Sequence, residues 1–125
     1  MTPISATLAD RHILLVEDDY LIADALAEAL RACGAHVFGP IANVEDALQS
    51  VLRLGGLEAV ILDVNLGGER SYAVADAVRD RNIPLVFVTG YNRDLLPARF
   101  AQVPHCLKPV DLDELSGLLA AQLVT

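Results

Sequence analysis

The chain has 125 residues and a formal charge of −8, with Asp and Glu outnumbering Lys and Arg by 17 to 9. That length suits one domain with a proper core and no separate output domain, while the acidic balance repels phosphate backbones and anionic lipid. Nucleic-acid and membrane-surface binding are therefore poor readings, and proteins or cations are the expected partners. No apolar run approaches the ~20 residues of a membrane span and the first residues lack the basic start of a signal peptide, so a cytoplasmic protein is expected.

Residues 1–11 mix Thr, Pro, Ser and Asp without periodicity and read as a tail, leaving 12–125 as the domain. Ile13 to Val16 is a continuous apolar run, short enough for a central strand, stopped by Glu17, Asp18 and Asp19. Leu21, Ile22, Ala25, Leu26, Ala29 and Leu30 then recur at helical spacing, with Gly34 as the stop. His36 to Gly39 suits an edge strand, and Asn43 caps a helix with a stripe of Val44, Ala47, Leu48, Val51 and Leu52.

Ala59 to Leu62 is the second buried strand, giving out at Asp63 into a loop with Gly67 and Gly68. Ser71 starts a helix carrying Val74, Ala75 and Val78, and Leu85 to Val88 is the third buried strand, ending at Thr89. Asn92 to Phe100 should be the next helix, but Pro97 leaves too few residues on either side, so this segment is expected to be the mobile one. Val103 to Leu107 reads as a strand, placed at the sheet edge by Pro104. Asp111 and Glu114 make a capping-box-like start to a last helix with Leu112, Leu115, Leu118, Leu119 and Leu123 inward. Cys33 and Cys106 read as buried thiols rather than a bridge.

Five strands alternating with five helices describe an α/β, doubly wound, five-stranded parallel sheet, and placing the two polar strands outside gives the order 2-1-3-4-5. One rim of that sheet collects Glu17, Asp18, Asp63, Thr89 and Lys108. Three carboxylates in one cleft repel one another, and a hard divalent cation, Mg²⁺, is the simplest way to hold them together. Asp63 could then attack a phosphoryl group, with Lys108 and the Thr89 hydroxyl contacting its oxygens. Each residue alone has a bland reading: Asp18 or Asp19 as a helix cap, Asp63 and Thr89 as turn residues, Lys108 as a solvated surface cation. Their meeting at four strand ends favours the site.

With those motifs in place, the chain from His12 onward resembles the receiver domains of bacterial two-component response regulators, which implies a flavodoxin/CheY-like fold. The resemblance implies that Asp63 is the phosphoacceptor and that Asp18, Asp63 and the Asn65 carbonyl hold Mg²⁺ while Glu17 assists through water. It also implies that Thr89 is the switch hydroxyl and that Lys108 pairs with the phosphoryl group ahead of a cis bond to Pro109. The run Pro84-Leu-Val-Phe-Val-Thr-Gly-Tyr91 is similar to the PFxFATGY motif of FATGUY receivers, often single-domain proteins served by histidine kinases of the HWE and related classes; Leu85 and Val88 depart from it. His105 stands where many receivers carry a switch Tyr or Phe, and Val110 replaces a common Phe. Tyr91, two residues past Thr89, either packs outward against the 92–100 segment or covers the site, where its ring would slow loss of the phosphoryl group. The implied function is acceptance of a phosphoryl group from a histidine kinase and signalling to a downstream protein target.

Three rivals remain. A haloacid-dehalogenase-type phosphatase would want a second Asp two residues after Asp63, where this chain has Asn65. A flavodoxin-like cofactor binder would want a Gly/Ser/Thr loop after the first strand, which here is acidic. A receiver-like scaffold that works without phosphorylation is opposed by the intact set of five rim residues.

Overall fold

Short runs without a polar side chain can bury both faces of a strand. In the computed structural model, which describes residues 7–90 and 95–123, they form the centre of a five-stranded parallel sheet. Its strands are β1 (His12–Val16), β2 (His36–Ile41), β3 (Ala59–Asp63), β4 (Leu85–Thr89) and β5 (His105–Leu107). Counting these sheet strands only, the order is β2-β1-β3-β4-β5 with every neighbour parallel, as expected. The middle three are almost wholly buried and the outer two are the polar ones.

Among the described residues the α-helices that cover the sheet are α1 (Tyr20–Ala32), α2 (Val44–Arg53), α3 (Tyr72–Asp80) and α4 (Leu112–Leu123). One core layer lies under α2 and α3 and includes Leu14, Leu62, Phe87 and Phe100; the other lies under α1 and α4 and includes Leu15, Ile61 and Val88. Successive strand residues face opposite layers, so each central strand feeds both cores. The expected caps at Asn43 and Asp111 form: Asn43 Oδ1 accepts from Asp46 N at 2.8 Å, and Asp111 Oδ1 accepts from Asp113 N and Glu114 N at 2.9 and 3.1 Å.

Several expectations need correction. Leu8 is wholly buried in the α1/α4 layer, so the packed chain reaches back four residues before β1, and residues 1–11 are not all tail. β2 runs on to Ile41 through Pro40, which an edge strand tolerates because one side of its backbone has no ladder to feed. The register slips between Leu14 and Val16, and Gly39 sits there at φ 105°, where an added Cβ would lie 2.5 Å from Leu15 O. β5 begins only after Pro104, whose carbonyl accepts from Phe87 N at 2.9 Å.

The helix expected over 92–100 is absent among its described residues, where a 3₁₀ turn, Ala98–Phe100, follows Pro97; residues 91–94, and with them the reading of Tyr91, lie outside the described residues. The turn is nonetheless well anchored. Leu96, Phe100 and Val103 enter the core, Phe100 meets Phe87 edge-on with ring centroids 5.4 Å apart, and Arg99 clasps Asp76 of α3 through two hydrogen bonds of 3.0 and 3.1 Å.

Candidate functional site

At the C-terminal ends of the strands the chain must leave the sheet, and parallel strands all leave on the same side, which is why four separate loops meet there. β1 delivers Glu17 and Asp18, β3 delivers Asp63, β4 ends in the buried Thr89, and Lys108 follows β5. Of the three acids after β1, Asp19 is the helix cap: its Oδ1 accepts from Leu21 N at 3.0 Å and Ile22 N at 3.2 Å. Asp18 is thereby free to turn inward, and its Oδ2 accepts from Gly67 N at 2.8 Å, tying the loop after β3 over the site.

That loop folds into a feature with too little sequence to show as strands, an antiparallel ribbon pairing Asn65–Leu66 with Glu69–Arg70. Gly67 and Gly68 make its two-residue turn with φ of 57° and 88°, the left-handed pair a tight hairpin requires.

Ligand atoms of Glu17, Asp18 and Asp63 all lie within 4.8 Å of one another. Among the described residues this is the single cluster of three such groups. Lys108 Nζ sits 2.8 Å from Asp63 Oδ2 and 3.1 Å from Glu17 Oε1, and its own backbone N donates to Thr89 O at 2.8 Å, so β4 and β5 together hold the ammonium in place. Asp63 Oδ1 accepts from Asn65 N at 3.0 Å. The open cleft, about 400 Å³, is lined by Asp18, Asp19, Asp63, Asn65, Gly90 and Lys108. A larger groove of about 530 Å³ beside α2 has Asp46 as its lone carboxylate and gathers no such cluster.

One ammonium does not neutralise three carboxylates. Burial, reinforced by neighbouring Asp63, pushes the Glu17 carboxyl up to about 7 from an ordinary 4.5. Burial also opposes ionisation of Asp18, but the Gly67 amide and a hydrogen bond from Glu17 outweigh it and hold that carboxyl below its ordinary value. For Lys108 burial works downward and the two carboxylates more than reverse it, so its ammonium is held charged.

The donor set fits a hard cation. Every candidate ligand is an oxygen, and the buried Asn65 Oδ1 has no hydrogen-bond partner. Glu17 Oε1, likewise buried, touches Lys108 in an ion pair but not in hydrogen-bond geometry. The structure thus brings Glu17, Asp18, Asp63, Asn65 and Lys108 together, and buried Thr89 adjoins them at the end of β4 through its carbonyl, which accepts from Lys108 N.

Other features lie at its margins. The Lys108–Pro109 bond is cis. Beyond it Pro109, Val110 and Leu112 form an apolar groove with Leu21, Ile22 and Ala25 of α1. Leu21 is 78% exposed there, contrary to its expected place in the core, because Ala23, Leu26, Ala27 and Leu30 already fill the inward stripe. His105 lies half-buried at the start of β5. Cys33 and Cys106 are both free thiols, and burial pushes Cys106 up to about 11, leaving it inert near neutral pH.

The chain is similar to known proteins to different extents. The solution structure of SdrG from Sphingomonas melonis Fr1 matches at 41% identity with a TM-score of 0.78, over 94% of this chain and 98% of that one. The receiver domain of the hybrid histidine kinase CckA matches at 28% identity and TM-score 0.74, over 90% and 99%. Among curated proteins, the aerobic respiration control protein ArcA of Escherichia coli is 31% identical over 85 residues, 67% of this chain. The match spans only 35% of ArcA's own length. No family model matches the chain.

Proposed function

Because the chain belongs to the receiver-domain family of bacterial response regulators, whose members interact with histidine kinases and generally bind Mg²⁺, we propose that it accepts a phosphoryl group on Asp63 and signals by binding another protein. The observation that carries this reading is the Lys108 ammonium held 2.8 Å from a buried strand-end carboxylate, inside a cluster of acids. In the transfer, a lone pair of an Asp63 carboxylate oxygen attacks phosphorus. The bond from phosphorus to the donor's imidazole nitrogen breaks, and its electron pair stays on that nitrogen. The product is an acyl phosphate. Lys108 meets the negative charge the phosphoryl oxygens bring, and the Thr89 hydroxyl donates to one of them.

Glu17, Asp18, Asp63 and the Asn65 carbonyl are the groups that would hold Mg²⁺, Glu17 through water. Bound there, the cation supplies the positive charge that lets a phosphoryl group approach carboxylates. Asp63 has Asn65 two residues on and no second Asp, so the chain lacks the general acid of an Asp-nucleophile phosphatase.

The donor we assign is a histidine kinase of the HWE and related classes, on the strength of Pro84 to Tyr91. The apolar groove of Leu21, Ile22, Ala25, Pro109, Val110 and Leu112 beside the site gives such a kinase a docking surface. We place the protein in the cytoplasm, consistent with the absence, among the described residues, of any helix long and apolar enough to cross a membrane.

Intact-mass analysis after incubation with a small phosphodonor and Mg²⁺ tests the reading. One added phosphoryl in the wild type and none in Asp63→Asn is the expected result. No addition to the wild type overturns it and leaves the unphosphorylated scaffold, and equal addition to the variant overturns Asp63 as the acceptor.

A further inference from the structure

Ser71 occupies the N-cap position of α3, where a serine hydroxyl ordinarily accepts from its own helix. It makes no such bond here. The residue is wholly buried, and its Oγ donates instead to the carbonyl oxygen of Asp63, eight residues back, at 2.6 Å. Its backbone N donates to the Val64 carbonyl at 2.9 Å, and its own carbonyl accepts from Val74 N and Ala75 N at 3.0 and 3.1 Å. One residue therefore closes the loop that carries the ribbon, starts α3, and grips the two peptides that follow the nucleophile.

The consequence for the cleft follows from what those peptides carry. The Asp63–Val64 peptide is held at both ends, its carbonyl by Ser71 Oγ and its N–H by Val88 O at 3.1 Å. Rotation of that plane would swing the Asp63 carboxylate away from Lys108. The Val64–Asn65 peptide, held through its carbonyl by Ser71 N, presents the Asn65 N–H that donates to Asp63 Oδ1 at 3.0 Å, and it leads directly into the Asn65 carbonyl.

We propose that Ser71 is a positioning residue for the proposed phosphoryl transfer: its hydroxyl sets the peptide that aims Asp63 and the Asn65 carbonyl at the cation and the incoming group. This rests on the receiver reading above. A structural tie with no bearing on the site would lower stability and nothing else. A positioning tie weakens cation binding in the resting protein as well, because outer partners of metal ligands set ligand direction.

The test compares wild type, Ser71→Ala, Ser71→Thr and Val78→Ala, the last a destabilising control in the same helix and remote from the cleft. Ala is smaller than Ser, so the first variant introduces no clash. Each is followed by Mg²⁺ titration observed by NMR, by its phosphorylation rate with a small phosphodonor, and by urea unfolding. Ser71→Ala is expected to bind Mg²⁺ and to phosphorylate about 10 to 100-fold more weakly while still folded, as when an outer-shell partner is removed. Val78→Ala should lose stability but keep both, and Ser71→Thr, where it folds, should recover them in part. Mg²⁺ affinity and rate in Ser71→Ala within about twofold of wild type, or equal losses in Val78→Ala, would overturn the inference. A wild type that neither binds Mg²⁺ nor phosphorylates would instead overturn the receiver reading and this inference with it.

Discussion

Replacing Lys108 with Met removes the cleft's ammonium while keeping a side chain of similar length. Its nitrogen lies 2.8 Å from Asp63 and 3.1 Å from Glu17, and each contact is worth roughly 5 to 6 kcal/mol of Coulomb attraction at an effective dielectric of about 20. Those gross figures overstate the net effect, because forming the pairs also strips water from three charges. The two carboxylate side chains are only 1% and 4% exposed against 24% for the lysine, so the anions stay buried when the cation goes. Breaking such a pair costs about 3 to 5 kcal/mol.

Glu17 limits that loss by taking up a proton, so its size depends on pH. Burial already pushes its carboxyl up to about 7, and removing Lys108 takes away a contact that lowers it, so the folded state binds more protons than the unfolded chain. That contribution is fully present below the unfolded carboxyl value and is lost as pH rises through the raised folded one. Urea unfolding in a chelator should show Lys108→Met about 3 kcal/mol less stable than wild type near pH 8, with a gap that narrows toward pH 5. Millimolar Mg²⁺ should recover part of it by binding the folded state. Equal stabilities near pH 8 without Mg²⁺ would show that Lys108 does not hold the cluster together, and a gap that widens toward acid would reverse the sign argued here.

Phe100→Ala should cost about 3 to 5 kcal/mol in urea unfolding, since a fully buried ring against Phe87 is deleted, whereas Leu95→Ala, at a residue 67% exposed, should stay within about 0.5 kcal/mol. Hydrogen exchange should find Phe100 and Val103 protected despite the missing helix; exchange as fast as a free loop would mean the anchoring fails. Glu58, held below its ordinary carboxyl value mainly by Arg11 at 2.6 Å, stabilises the fold above that ordinary value and stops doing so as pH falls through its lowered folded value. Glu58→Gln should therefore flatten the acid limb of the stability profile, and an unchanged limb would refute that role. Leu21→Asp should slow transfer from a cognate kinase and leave phosphorylation by a small donor unchanged; loss of both would mean that Leu21 supports the site rather than docking.

The centre of the fold was legible because Ile13 to Val16, Ala59 to Leu62 and Leu85 to Val88 have no polar residue to compromise, and strands buried on both faces leave that mark. The site was legible for the same reason: such strands end at their first polar residues, so Glu17, Asp18, Asp63 and Thr89 fall at one rim. What stayed hidden depends on contacts distant in sequence. Leu8 sits in a stretch too short for a periodicity to announce its burial. The ribbon has two residues per strand, and its one signal is Gly67-Gly68 between Leu66 and Glu69. Asp18 and Asp19 are equally good caps on paper, and the Gly67 amide decides between them. Ser71 reads as an ordinary N-cap because the carbonyl that captures its hydroxyl is visible only once β3 and α3 are side by side. In α1 the apolar residues outnumber the inward positions, so spacing alone did not say that Leu21 faces out.

The acyl phosphate itself offers the most direct test. After phosphorylation by a small donor with Mg²⁺, borohydride reduction converts an aspartyl phosphate to homoserine, and peptide mass mapping reads where that happened. The account predicts homoserine at residue 63 and nowhere else, absent when the donor or Mg²⁺ is left out. Reduction at another acidic residue, or a stable phosphoryl group on a hydroxyl or histidine instead, would contradict it.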